Sequence, residues 1–220
     1  MITFEPKEHK YTNENNEEYV SVTTLLQKEF PFNAKEIANK VSTISSSRYH
    51  GMSEARILRM WDDSSVHGTV VHEAVEEYIK EDIYPSDPQL IPLIEQFKKL
   101  SFRGDLLSEI LVWDDELKIA GTADILEIFP DHINLFDIKT SNKLSEDKHM
   151  KFSLQLEMYR RMIEDNFKKP TRSIAILWFE NYVMQRSKTK MKLIQPLQLN
   201  DVVDDILEKR RKEIICHIKQ

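Results

Sequence analysis

Apolar positions three or four apart mark helices in this chain, and apolar runs bounded by turn residues mark strands. Val66, Val70, Ala74 and Val75 form the apolar side of a helix over about 66–81, and Met150, Leu154, Met158 and Met162 define another. Leu107–Asp114, Lys118–Phe129 and Ile133–Thr140 read as three successive strands, joined at Asp114-Asp115-Glu116 and Pro130-Asp131-His132. Ser173–Phe179 reads as a further strand, and part of Tyr182–Ile194 as one more. At the start, the pattern predicts a strand at Ile2–Glu5, a turn at Asn13-Glu14-Asn15-Asn16, a short strand at Tyr19–Ser21 and a helix after it. Residues 33–62 predict helices broken near Ser45-Ser46-Ser47 and Gly51, and Pro85, Pro88 and Pro92 mark a loop leading into a helix of about 89–100. A last amphipathic helix starts at about Asp201, with Asn200 as its N-cap. This order predicts an α/β fold with a central mixed, mostly antiparallel sheet flanked by helices.

Length and composition narrow the classes. With 220 residues, one domain over 1–220 is expected: an N-terminal hairpin and helical part (1–65), a core carrying the candidate chemistry (66–195) and a C-terminal helix (196–220). Hydrophobic residues at 40% and charged ones at 31% are ordinary for a globular chain. No apolar run approaches the roughly 20 residues needed to span a bilayer. Met1-Ile2-Thr3-Phe4-Glu5-Pro6-Lys7 lacks the basic start and apolar stretch of a signal peptide. Cys216 is the single cysteine, which excludes an intrachain disulfide, a four-cysteine zinc site and a cysteine-bound iron–sulfur cluster. These features predict a reduced, cytoplasmic setting without a membrane. The net charge of −6 is unevenly spread, with −12 over residues 1–136, +6 over 137–192 and balance beyond. A basic segment of this kind provides attraction for a phosphate backbone, although solvated helix faces account for it equally well.

The candidate chemistry lies on the central strands. Asp137 and Lys139 are two apart and project from one face of their strand. A hairpin centred near residue 131 sets Asp124 opposite Asp137 or Ile138. Paired carboxylates repel unless a cation lies between them, and hard oxygen ligands suit Mg²⁺ or Mn²⁺. A plain Asp–Lys ion pair at a sheet edge is the alternative. The glycines are few, yet one opens Gly121-Thr122-Ala123-Asp124 in mid-strand, and another opens Gly68-Thr69-Val70-Val71-His72-Glu73, one helical turn before His72. Gln155 and Tyr159 are four apart on a helix and can face one point.

In this order these pieces resemble the PD-(D/E)XK nuclease superfamily, in its RecB-type, phage exonuclease-like branch. The motifs are a helical G-x-x-x-H-E at Gly68 to Glu73, an acidic residue at Glu109, G-x-x-D at Gly121 to Asp124, D-x-K at Asp137 to Lys139, and Q-x-x-x-Y at Gln155 to Tyr159. His9-Lys10-Tyr11 followed by Ser21-Val22-Thr23 is similar to the start of phage and mitochondrial single-strand exonucleases. The resemblance implies a restriction-endonuclease-like core and a metal-dependent DNA exonuclease active in recombination, repair or replication, with a bacteriophage or bacterial source. It implies metal ligands at Asp124, Asp137, His72 and the carbonyl of Ile138, with Glu109 beside them. Lys139 would orient and help deprotonate the attacking water or neutralise the phosphate, while Gln155 and Tyr159 position the strand or the backbone. Relatives that carry a four-cysteine iron–sulfur cluster differ from this chain at that point. A site-specific endonuclease on the same core and a catalytically silent DNA-binding protein remain alternatives. DNA, single-stranded or as duplex ends, is the expected partner, and a single-strand annealing or replication protein is a further candidate. Lys143, Lys148, Lys151, Arg160, Arg161, Arg186, Lys188 and Lys190 are candidate DNA contacts by charge placement.

Overall fold

A long strand, β5 (Ile119–Ile128), organises the sheet. Along one edge it pairs antiparallel with β4 (Asp105–Asp114) from Asp105↔Ile128 to Asp114↔Ile119. Its other edge is shared. β3 (Glu18–Ser21) runs parallel to its start at Val20↔Ile119, and β6 (Ile133–Ser141) pairs antiparallel with its end from Ile125↔Phe136 to Ile128↔Ile133. β1 (Ile2–Glu5) and β2 (Lys10–Asn13) extend the sheet beyond β3, and β7 (Thr171–Glu180) and β8 (Lys190–Ile194) extend it beyond β6. The computed structural model describes residues 2–141, 143–180 and 190–218. Within them the sheet has eight strands, parallel only at β3–β5 and β6–β7. The fold is therefore the mixed, mostly antiparallel α/β architecture that the pattern predicts.

Helices cover both faces because each strand of the centre buries side chains on both sides. On one face lie α1 (Val22–Glu29), α5 (Glu146–Phe167) and α6 (Asn200–Ile218), whose Leu25, Leu154, Met158, Ile163 and Ile206 pack on Ala123, Leu126 and Leu135. On the other lie α3 (Glu54–Glu81) and α4 (Ile91–Lys98), whose Val71, Val75, Ile94 and Phe97 pack on Ile125, Phe136 and Leu177. α2 (Ala34–Thr43) lies against α3. Ser21, Ser53 and Ser145 cap α1, α3 and α5 through their side-chain oxygens, which satisfies otherwise orphaned N–H groups.

Three local readings change. The expected helices up to 62 and from 66 are one 28-residue helix, because Asp62-Asp63-Ser64-Ser65 contains no breaker and its polar groups face water or the cavity described below. Val66 is 63% exposed, and the buried stripe runs instead through Val71, Ala74 and Val75. Lys10–Asn13 is a strand although its sequence is polar, because pairing with β1 and the burial of Tyr11 beside Ile2 and Tyr19 organise it. α6 begins at Asn200 itself. The described part of the strand expected within Tyr182–Ile194 is β8, and Arg186 and Lys188 lie outside the described residues. Among the described residues no helix is long and apolar enough to cross a membrane.

Candidate metal centre

The site forms where the β4–β5 ladder opens. Ser108 pairs with Ile125 and Ile110 with Ala123, so Glu109 and Asp124 stand opposite one another in register while making no ladder pair themselves. Like charges directly opposite on adjacent strands repel. The backbone relieves this by creasing: Glu109 has φ +53°, in the left-handed region. The crease reverses the facing of the side chains. Leu106 packs towards α3 and α4, whereas Ile110 packs towards α5. On β5, Ala123 and Leu126 both pack towards α5 although they are three apart, and Ile125 packs the other way. Strict alternation is thus broken at Glu109 and Asp124, the two residues that carry the charge.

The other edge of β5 also opens here. Pairing with β3 stops at Ala120 and pairing with β6 stops at Ile125. Across that gap the Ile138 N–H donates to Asp124 Oδ2 at 2.6 Å, so a side-chain carboxylate takes the place of a ladder carbonyl. Gly121 lies in the gap because the Tyr159 ring fills the space above it: a Cβ there would stand 2.4 Å from Tyr159 Cε1. Tyr159 is buried and hydrogen-bonded to Gln155, and burial holds its hydroxyl well above its ordinary pKa. Neither residue lines the cavity; Tyr159 braces β5 from the α5 side.

α3 supplies the third group. Gly68 lets the helix approach β6 closely, since a Cβ there would be 3.2 Å from Thr140 Oγ1. One turn later His72 Nδ1 lies 3.5 Å from Asp124 Oδ1. Ligand atoms of His72, Glu109 and Asp124 all lie within 4.8 Å of one another. That span is slightly wider than the roughly 4 Å across an octahedral ion with bonds of about 2.1 Å. The cluster opens into a cavity of about 610 Å³ whose wall includes Gly68, Glu73, Glu76, Thr122, Lys139 and Thr140.

Asp137 lies next to this cluster, paired with Lys139. It does not line the cavity, and Glu109 rather than Asp137 completes the cluster with His72 and Asp124. Its carboxylate is 1% exposed and meets Lys139 Nζ, which donates to Oδ1 at 2.9 Å. Oδ2 lies 2.8 Å from the same Nζ, but it makes no hydrogen bond among the described residues. A buried carboxylate oxygen without a hydrogen bond is costly unless a cation satisfies it. For Asp137 that cation is the Lys139 ammonium, and it is the two carboxylates and the imidazole of the cluster whose donor set fits a divalent ion.

The titration behaviour follows from the crowding of charge. Burial and the charge of Asp124 push the Glu109 carboxyl up to about 7. Burial pushes Asp137 up to about 6, with Lys139 opposing and Asp124 adding to the rise. Asp124 moves the other way: burial would raise it, but His72, Lys139 and the Ile138 N–H hold it below the ordinary value. For His72 burial favours the neutral ring, and the charge and hydrogen bond of Asp124 outweigh it, so its pKa is raised. Lys139 is held charged by Asp137 and Asp124 in spite of its burial.

The expected DNA contacts scatter. Arg160 pairs with Glu157 and Glu164 at 2.6 and 2.7 Å, and Arg161 pairs with Glu157 and Asp204 at 2.8 and 2.5 Å, joining α5 to α6 on the face opposite α3. Lys151 donates to the Phe30 carbonyl at 3.1 Å. Lys143 is exposed; Lys148 keeps much of its surface in water, but partial desolvation of its ammonium and the charge of Arg48 lower its pKa. Sequence reasoning missed Trp61, Ser65, Glu76, Thr122 and Thr140, all on the cavity wall. The helical spacing of Trp61, Ser65, Gly68 and His72 was the available signal.

No protein-family model matches the chain, and no curated protein matches it. Solved structures that are similar include the following two. One, "Crystal structure of SSO0001", is 13% identical over 87% of this chain and 73% of that one, with a TM-score of 0.44. The other, a "Putative exonuclease" from Eubacterium rectale, is 10% identical over 86% of this chain and 84% of that one, with a TM-score of 0.47. Such distant likeness assigns neither activity nor substrate.

Proposed function

We propose that this chain is a divalent-metal-dependent nuclease that hydrolyses phosphodiester bonds of DNA, working from strand ends. The observation that carries the reading is the paired opening of β5, which gathers Glu109, Asp124 and His72 at a cavity with Lys139 on its wall. The motif resemblance independently selects these same residues and names the reaction.

Asp124, Glu109 and His72 are the residues to hold Mg²⁺ or Mn²⁺, with the Asp137–Lys139 ion pair beside them. Such an ion, when bound, supplies a water of lowered pKa and neutralises charge on the phosphoryl oxygens. Lys139 is held protonated, so its part is to hydrogen-bond and neutralise a phosphate oxygen rather than to take a proton. Asp137 fixes the position of Lys139, and the Ile138 N–H fixes Asp124.

The test is digestion of end-labelled linear and circular DNA, single- and double-stranded, with Mg²⁺, Mn²⁺ or EDTA. Release of nucleotides from linear strands only, abolished by EDTA, is expected. Circular DNA cut as fast as linear DNA would replace the exonuclease with an endonuclease. Binding without cleavage under every metal would leave a silent DNA-binding protein.

A further inference from the structure

Beyond the metal cluster, the most distinctive surface is aromatic. Phe32 from the α1–α2 connection, Tyr49 from the α2–α3 connection and Trp61 from α3 converge beside the cavity. The Phe32 and Trp61 ring centroids are 5.8 Å apart, and those of Tyr49 and Trp61 are 5.9 Å apart at 87°. Phe32 is 51% exposed, so its ring offers a face to solvent. Trp61 donates through Nε1 to the Tyr49 hydroxyl at 3.0 Å, and Arg48 donates to the same oxygen at 2.6 Å with its guanidinium 4.6 Å from the Tyr49 ring centre. Polar contacts therefore hold the Tyr49 and Trp61 rings, Phe32 packs on Trp61, and all three remain partly open to water.

Their position relative to the cluster follows from helix geometry. Trp61 and His72 are eleven residues apart on one helix, which returns them to nearly the same face. The rise between them is about 16 Å, at about 1.5 Å per residue. Trp61 and His72 both line the one cavity, so the aromatic surface is continuous with the metal cluster. A separation of about 16 Å corresponds to up to about five nucleotides at a rise of about 3.4 Å, and to fewer in a stretched strand. The basic groups near this surface, Arg48 and the exposed Lys148, are close enough for their charges to interact.

We propose that Phe32, Trp61 and Tyr49 form a stacking platform for an unpaired base of the DNA strand whose scissile phosphate lies at the His72–Glu109–Asp124 cluster. This rests on the nuclease reading and adds to it a subsite that holds a base away from the cut. Aromatic rings hold single strands without reading sequence because every base has a π-face, and Arg48 and Lys148 supply positive charge beside these rings. A duplex keeps its bases stacked on one another and offers none to a ring on the wall of the cavity. The platform would hold the strand several nucleotides from the cut and leave the ring faces indifferent to base identity.

Abasic scanning tests this. A single abasic position is moved through a single-stranded oligonucleotide, and binding is measured by fluorescence anisotropy in Ca²⁺, with cleavage measured separately in Mn²⁺. Wild-type protein is expected to lose about 5- to 150-fold in affinity at one position within about five nucleotides of the scissile phosphate, the equivalent of one base–aromatic stack. Phe32→Ala, at an exposed site, should bind the intact strand about tenfold more weakly and should no longer sense that position. Trp61→Phe keeps a ring and should retain the dependence, which separates stacking from loss of fold. If wild-type protein binds and cleaves but is indifferent to every abasic position, or if Phe32→Ala matches it throughout, the platform is overturned while the nuclease stands. If wild-type protein neither binds nor cleaves any strand, the nuclease reading falls and the platform with it.

Discussion

At the scale of single residues, Glu109 concentrates the tension of the site. A side chain in the left-handed region costs roughly 1–2 kcal/mol, and its carboxyl also faces Asp124 from a partly buried position. Neither cost serves packing, so replacing Glu109 by glycine should raise the melting temperature of the metal-free protein at pH 7.5 while weakening Mn²⁺ binding in calorimetry. The same crowding sets a pH dependence. Glu109 and Asp137 bind protons more tightly when folded than unfolded, as does His72, so the folded state holds more protons between about pH 4.5 and 7. Stability is therefore present at the acid side of that window and lost as pH rises through it. Thermal melts in EDTA should fall from pH 5 to pH 8, Glu109→Gln should flatten the fall, and Mn²⁺ should reverse it at the alkaline end. Asp124 and Lys139 should separate by readout. Asp124→Asn is expected to abolish metal binding and cleavage together, whereas Lys139→Ala should leave metal affinity nearly unchanged and lower kcat by about 10²–10³. Equal metal affinity in Asp124→Asn and wild type would remove Asp124 from the centre.

At the scale of elements, what positions the site is the departure of β5 from regular pairing. β4 runs along the whole of one edge, while β3 and β6 each take only an end of the other. The strand is kept in place across the gap by the Tyr159 ring over Gly121 and by the Ile138 N–H on Asp124. Gly121→Ala would drive a methyl into a buried ring, and overpacking of that kind costs about 1–3 kcal/mol. The expected result is a lower melting temperature together with weaker Mn²⁺ binding, although no ligand is changed. An unchanged melting temperature would mean that Tyr159 can move aside and does not brace the strand. Glu127 plays a similar bracing part outside the site: its buried carboxylate accepts the N–H groups of Arg103 and Gly104 at 2.7 and 3.1 Å and so fixes the entry to β4.

For the molecule as a whole, part of the basic excess of residues 137–192 is paired with acids among the described residues. Arg160, Arg161 and Lys192 face Glu157, Glu164, Asp204 and Glu180. Those side chains are not offered to phosphates, and a protein with net charge −6 should bind DNA with a shallow salt dependence. A slope of log affinity against log salt of about −2 to −3, as for three or four phosphate contacts on a single strand, is expected. A slope as steep as about −6 would point to a basic surface elsewhere.

The sequence by itself determined what local spacing controls. Asp137 and Lys139 fall on one face because strand period is two, the hairpin near residue 131 brings β6 back beside β5, and His72 sits a turn beyond a glycine on a helix. The mixed sheet and its flanking helices followed from the same periodicities. Tertiary structure decided which of those side chains meet. Whether Glu109 or Asp137 joins His72 and Asp124 depends on a left-handed residue and on where two ladders end, and neither leaves a mark in hydrophobic pattern. Whether an arginine is available to a ligand depends on acids brought beside it from another helix, as Asp204 is brought to Arg161. The pattern fixes each element's faces through local sterics and burial, but contacts between elements are settled only when packing, charge and backbone strain are satisfied together.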